Sequence, residues 1–299
     1  MRVAQLFSQL TYSDQIIKAK AYIELLKVKL TSLVLFSGAF GYFLGCKETF
    51  NLSKFLYFLI GGFLLTGAAN IINQIIEKDL DKLMYRTASR PLPSGRVTQY
   101  EAMGFSILLF LIGFGILISK ANVSTAFFTV VSLLLYAFVY TPMKQITPFC
   151  VLVGAFPGAM PPLIGWIAGA GKLEIQAIVL FSIQFIWQFP HFWAIAWILD
   201  EDYKRAGFKM LPSSGGKNKE TVFQIIAYTF FLIPFGLLPY FFHISGWISA
   251  VIVTICGIIF FFQSVALNKS MSDSVARKIM FGSFIYLPII QLALILDKI

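Results

Sequence analysis

Apolar runs long enough to cross a lipid bilayer recur from residue 28 to residue 296. A helix rises about 1.5 Å per residue, so about 20 apolar residues reach across the hydrocarbon core. Within that core the backbone must satisfy its own hydrogen bonds, which leaves helices or a closed barrel. The runs here are continuous rather than alternating, and they predict helices. Nine spans are expected, at about residues 28–46, 54–77, 101–119, 122–140, 147–169, 174–199, 221–242, 247–268 and 276–296. No separate soluble domain is visible between them. Residues 1–299 are therefore expected to form a single all-α, polytopic integral-membrane domain.

Only 13% of the residues are charged, against roughly 25% in soluble domains. The net charge of +10 would suggest nucleic acid in a soluble chain. Here the positive-inside rule accounts for it, and no nucleic-acid partner is expected. Of the 24 Lys and Arg residues, 19 fall in the N-terminal segment and in loops 78–100, 141–146, 200–220 and 269–278. Lys47, Lys54, Lys120, Lys172 and Lys298 fall on the opposite side. This predicts a cytoplasmic N-terminus and an outer C-terminus. Residues 1–29 show neither a cleavable signal nor an Arg/Ser-rich leader, so a bacterial inner membrane is the expected location. Cys46, Cys150 and Cys256 lack disulfide or zinc spacing and read as small apolar residues.

Where the second apolar run ends, Asn73, Glu77 and Asp81 stand at i, i+4 and i+8. Helical spacing stacks the three on one face. Two carboxylates and an amide suit a hard cation such as Mg²⁺, which takes oxygen ligands and is often shared with phosphates. Arg86, Arg90 and Arg96 follow in the next loop. Acids for a metal beside bases for phosphate point to diphosphate chemistry at a membrane surface. The competing reading is a solvated helix end balanced by lysines, yet acids at a helix C-terminus oppose the macrodipole. Asn70 extends the polar stripe into the apolar span.

A second acidic helix end, Asp200, Glu201 and Asp202, precedes loop 200–220 on the same side. Two helices thus deliver acids to one mouth, a weak internal repeat. Read backwards from Asp202 at helical spacing, the face carries Ile198, Ile195, His191, Gln188 and Gln184. The glutamines either bond neighbouring helices or meet a polar substrate. His191 follows Pro190, which predicts a kink, and is either a packing residue or a contact to a metal-bearing substrate. Tyr140 and Lys144 form an i, i+4 pair spanning Pro142; the lysine either obeys the positive-inside rule or holds a leaving anion. The Gly/Pro-rich run 154–166 predicts an irregular helix that shapes an internal cavity.

Five segments in this order resemble the UbiA superfamily of intramembrane prenyltransferases. They are N-x₃-E-x₃-D-x₂-M-x-R-T-x₂-R-P-L-P-x-G from Asn73 to Gly95, YTPMKQIT at 140–147, GAMPPLIGW at 158–166, WQFPHFWAIA at 187–196 and DYKRAGFKMLP at 202–212. PPLIGW and WQFPHFW resemble the haem-prenylating branch in particular. The resemblance covers residues 22–296 and implies a nine-helix bundle with a cytoplasm-facing active site. It implies farnesyl diphosphate and haem B as substrates, Mg²⁺ as cofactor, and a downstream haem A synthase as partner. Asn73, Glu77, Asp81 and Asp202 would hold the metal, with Tyr140 and Lys144 beside them. Arg86, Arg90 and Lys144 would bind diphosphate, and His191 and Gln188 would contact haem. Two departures stand out. Glu77 and Ile198 occupy positions where the superfamily often has Asp or another acid, and Lys27-Val28-Lys29 replaces Lys-Pro-Arg before the first span. Other acceptors, such as 4-hydroxybenzoate or a chlorophyll precursor, are the first alternative. A transporter is the second, although transporters place charge near the bilayer midplane.

Overall fold

A computed structural model describes residues 15–47, 49–213 and 215–299. Residues 1–14, part of the stretch read as leaderless, lie outside the described residues. The described chain is helical, and its one β-type contact is the isolated bridge Ser245–Lys298. In chain order the helices are α1 (residues 15–25), α2 (Val28–Gly45), α3 (Leu52–Ile76), α4 (Lys78–Asp81), α5 (Gln99–Ile116) and α6 (Val123–Leu134). They continue as α7 (Thr141–Ile146), α8 (Cys150–Ala170), α9 (Ile175–Ile198), α10 (Asp200–Arg205), α11 (Lys219–Phe241), α12 (Trp247–Ser270) and α13 (Asp273–Leu296).

Eight helical stretches are long and apolar enough to cross a membrane, so this is a multi-pass membrane protein. They match eight of the nine expected spans. The remaining expected span, 28–46, coincides with α2, an 18-residue helix outside that group of eight. Polar side chains fix several helix starts. Asn51, Asn122, Asn218 and Ser272 each accept a backbone N–H, and Thr98 with Glu101 forms a capping box.

The expected irregularities at 154–166 and Pro190 do not interrupt their helices. Pro157, Pro161 and Pro162 all lie inside the continuous α8, and Pro190 lies inside the continuous α9. Instead, α6 runs into a π-helical stretch at Leu135–Tyr140 and then directly into α7, whose first turn holds Pro142. The Gly/Pro run of α8 serves close packing. A Cβ on Gly41 would lie 2.0 Å from the Pro162 carbonyl oxygen, and one on Gly165 would lie 1.9 Å from that of Gly38. Here α2 and α8 meet backbone to backbone, as small residues permit in membranes. On other turns of α8, Gly154 makes room for the Tyr140 ring and Gly158 for the Gln188 amide, at 2.6 and 2.7 Å from a built Cβ.

Candidate active site

At the C-terminal end of α3 the helix turns at Glu77, whose φ and ψ are −90° and 5°, and resumes as α4. The turn keeps helical register: the Glu77 N–H donates to Asn73 O at 3.0 Å, and the Asp81 N–H donates to Glu77 O at 2.7 Å. Asn73, Glu77 and Asp81 are all buried, at 1%, 4% and 0% exposure. Such burial rules out the reading of a solvated helix end. A buried carboxylate needs a cation, and each of these oxygen donors has one.

Lys27 Nζ donates to Asn73 Oδ1 at 3.0 Å, Lys144 Nζ to Glu77 Oε1 at 2.7 Å, and Arg90 Nη1 to Asp81 Oδ2 at 2.8 Å. The Asn73 amide also donates to Thr141 Oγ1 at 3.0 Å, which ties α3 to the start of α7. Thr87 Oγ1 donates to Asp81 O at 2.8 Å and folds the loop after α4 back under the site, bringing Arg90 to Asp81. Lys144 lies 4.6 Å from the Tyr140 ring centroid and 5.6 Å from that of Phe208, so two π faces cover the ammonium. The expected Tyr140–Lys144 pair therefore survives Pro142.

Lys27 is a site residue that chemical reasoning from motifs missed. It precedes α2 in a left-handed conformation, φ 48°, uncommon for a side chain other than glycine. Withdrawal from water, and then the neighbouring cations Arg90 and Lys144, pull its pKa down to about 7. The Lys-Val-Lys sequence before the first span was the available signal.

Helix α9 ends at Ile198 and turns at Leu199 into α10, and this turn too keeps helical register: the Leu199 N–H donates to Ile195 O and the Tyr203 N–H to Leu199 O, both at 2.9 Å. Asp202 follows in α10. Its carboxylate accepts the backbone N–H groups of Tyr85 and Arg86 at 3.3 and 3.4 Å, and Arg205 Nη1 at 3.3 Å. Arg205 in turn stacks 3.8 Å over the Tyr85 ring. The two acidic segments thus latch together through Asp202 and the loop after α4. Arg86 is exposed beside this latch, while Arg96 pairs with Glu24 in α1.

The donor set fits a divalent cation in part. Asp81 Oδ1 is buried with no hydrogen-bond partner, a vacant carboxylate lone pair. Among the described residues, no three His, Cys, Asp or Glu side chains come close enough to hold a metal ion. Two acids and an amide need further oxygen donors, and phosphate oxygens are the hard ligands Mg²⁺ accepts.

Deeper in α9, the Gln184 and Gln188 amides both donate to Gly158 O, at 2.8 and 2.9 Å. Gln291 Nε2 reaches Ser37 Oγ at 3.0 Å and Gln184 Oε1 at 3.2 Å, so these glutamines bond neighbouring helices. His191 stacks on Trp187 with ring centroids 4.3 Å apart and contacts Ser283 of α13 at 2.8 Å.

These features meet known proteins over nearly the whole chain. The pattern of the UbiA prenyltransferase family matches residues 34–287. A protoheme IX farnesyltransferase of Cytophaga hutchinsonii is 51% identical over 280 residues, 94% of this chain and 98% of that protein. A digeranylgeranylglyceryl phosphate synthase structure superimposes with TM-score 0.78 at 24% identity, covering 94% of this chain and 98% of that one. A UbiA homologue from Archaeoglobus fulgidus, bound to GPP and Mg²⁺, superimposes with TM-score 0.69 at 15% identity, covering 92% and 99%. At such identities the two structures establish the shared fold. With its motifs in order and its family pattern spanning most of its length, the chain belongs to the UbiA prenyltransferase family.

Proposed function

We propose that this chain transfers the farnesyl group of farnesyl diphosphate to a vinyl group of haem B, with addition of water, giving haem O and diphosphate. The observation that carries the reading is the near-full-length identity to a protoheme IX farnesyltransferase, combined with the buried acid–base mouth.

In this reading Asn73, Glu77, Asp81 and Asp202 hold Mg²⁺, which lowers the charge on the departing diphosphate. The bare Asp81 Oδ1 supports a ligand role. Lys144 and Arg90, now spent on Glu77 and Asp81, turn to phosphate oxygens, as does the exposed Arg86. Each base exchanges one anion for another, so the site stays neutralised throughout. Such prearranged charge stabilisation is usually the largest catalytic contribution. The ring of Tyr140 faces the Lys144 ammonium and offers a π surface to the allylic cation formed on C–O cleavage. The apolar bundle keeps water from that cation until a haem vinyl carbon attacks it. Water then adds to the resulting carbocation and loses a proton, leaving a hydroxyethylfarnesyl side chain. His191 and Gln188 serve as haem contacts.

The distribution of Lys and Arg supports an inner-membrane protein with the mouth and N-terminus in the cytoplasm and the C-terminus outside. Haem O would pass to a haem A synthase, the partner this product implies. Incubation of purified protein with farnesyl diphosphate, Mg²⁺ and haem B tests the proposal by mass analysis. A hydroxyethylfarnesyl haem is expected. A farnesylated phenol in parallel incubations with 4-hydroxybenzoate, and unmodified haem, would overturn it.

A further inference from the structure

We infer that segment 206–209, a strap that leaves the end of α10, positions Lys144 for diphosphate, and that Phe208 is the residue that aims its ammonium. The inference rests on Lys144 being a diphosphate ligand and adds what directs it there.

The strap leaves α10 by a turn that fixes its course. Gly207 sits at φ 69°, its N–H donates to Lys204 O at 3.0 Å, and the Phe208 N–H donates to Tyr203 O at 2.8 Å. In this glycine-capped helix end, the apolar residue after the glycine packs back on the last turn. The Phe208 and Tyr203 rings accordingly lie 6.0 Å apart. Beyond the turn the chain lies along the protein with alternate sides inward: Ala206, Phe208 and Met210 are buried, while Gly207 and Lys209 are exposed.

The strap lies against α7. A helix of six residues leaves most of its carbonyls without an intrahelical partner, and the strap meets two of them. The Lys209 N–H donates to Lys144 O at 2.7 Å, and Lys209 Nζ donates to Ile146 O at 3.1 Å. In return the Gln145 amide donates to Ala206 O at 3.3 Å. The same segment sets the Phe208 ring 5.6 Å from Lys144 Nζ, which also lies 4.6 Å from the Tyr140 ring. One short loop segment thus holds both the backbone and the ammonium of Lys144.

Glu77 holds that ammonium only until Lys144 turns to a phosphate. Lysine carries a flexible four-carbon stem and a strongly hydrated head, so water then competes for it. An aromatic face attracts an ammonium without accepting any of its N–H bonds. Phe208 therefore keeps Nζ in the mouth and leaves its donors for phosphate oxygens, where a carboxylate would retain them. Holding the side chain ready lowers the ordering cost of binding the anion.

The test uses the full chain in lipid nanodiscs, titrated calorimetrically with inorganic diphosphate and Mg²⁺, then assayed with farnesyl diphosphate and haem B. Phe208→Leu keeps an apolar side chain and removes the ring. It should weaken diphosphate binding about fivefold and raise KM for farnesyl diphosphate by a similar factor, with KM for haem within about twofold of wild type. Phe208→Tyr, which keeps the ring, should restore both values. In a Lys144→Met background, Phe208→Leu should have no further effect on diphosphate affinity, because the ring then has no ammonium to hold. Wild-type affinity in Phe208→Leu, a loss that Phe208→Tyr does not restore, or the same fivefold loss without Lys144 overturns the positioning role. Lys144 stays a diphosphate ligand in those cases if Lys144→Met alone binds diphosphate more weakly than wild type. If Lys144→Met binds it as wild type does, the underlying assignment falls and the inference with it.

Discussion

Glu77 and Lys144 form the most buried ion pair of the mouth, and the structure sets the cost of breaking it. Nζ and Oε1 are 2.7 Å apart, with side-chain exposures of 12% and 5%. At an effective dielectric of about 20, unit charges at that distance attract by about 6 kcal/mol, before desolvation offsets much of it. Stranding one member of a buried pair costs about 3–5 kcal/mol. Glu77→Gln should lie near the lower end, about 3 kcal/mol, because the amide oxygen still accepts from Nζ. Lys144→Met should also destabilise, since it strands Glu77 and removes the cation over Tyr140 and Phe208. The double variant leaves neither charge stranded and should be more stable than the sum of the singles by about 2 kcal/mol. SDS-induced unfolding of the purified protein, followed by circular dichroism, measures all four corners of the cycle. Additivity within about 0.5 kcal/mol would refute a coupled buried pair and return Lys144 to a role in topology alone.

Asp81→Asn should abolish turnover at saturating Mg²⁺, at a stability cost of about 1–3 kcal/mol from the weakened Arg90 contact; near-normal activity would remove Asp81 from the ligand set. Arg90→Lys should raise KM for farnesyl diphosphate about tenfold and leave KM for haem unchanged, because an ammonium lacks the bidentate fork; steady-state kinetics with each substrate varied decide it. Gly165→Ala should destabilise the bundle by about 3 kcal/mol, since its Cβ would lie 1.9 Å from the Gly38 carbonyl oxygen; a wild-type unfolding midpoint would contradict the α2–α8 contact.

Apolar periodicity made the helices legible because the bilayer leaves the backbone few options, and eight of the expected spans appear within a few residues of their predicted limits. The face of Asn73, Glu77 and Asp81 was equally legible, since i, i+4 spacing survives the turn at Glu77. The turn at Leu199 between α9 and α10 was not legible, since no glycine or proline marks it, although i, i+4 bonding continues through it to Tyr203. Pro142 and Pro190 leave their helices unbroken. The irregular turns are the π-helical Leu117–Ala121 and Leu135–Tyr140, which no proline or glycine marks. The bases that meet Asn73, Asp81 and Glu77 are Lys27, Arg90 and Lys144, separated by 46, 9 and 67 residues from their partners. Pairing at such separations is a property of the packed bundle. Ser283 illustrates the same point, since a serine in an apolar run gains meaning only from the histidine beside it on another helix.

In the proposed mechanism, diphosphate completes a metal site that the chain supplies only in part. Mn²⁺ binding, followed by electron paramagnetic resonance with and without a non-hydrolysable farnesyl thiodiphosphate, tests it directly. Wild type should bind Mn²⁺ tightly only with the diphosphate present, showing phosphorus coupling to the metal, and Asp81→Asn should lose that signal. Tight Mn²⁺ binding without diphosphate, or an unchanged signal in Asp81→Asn, would contradict the account.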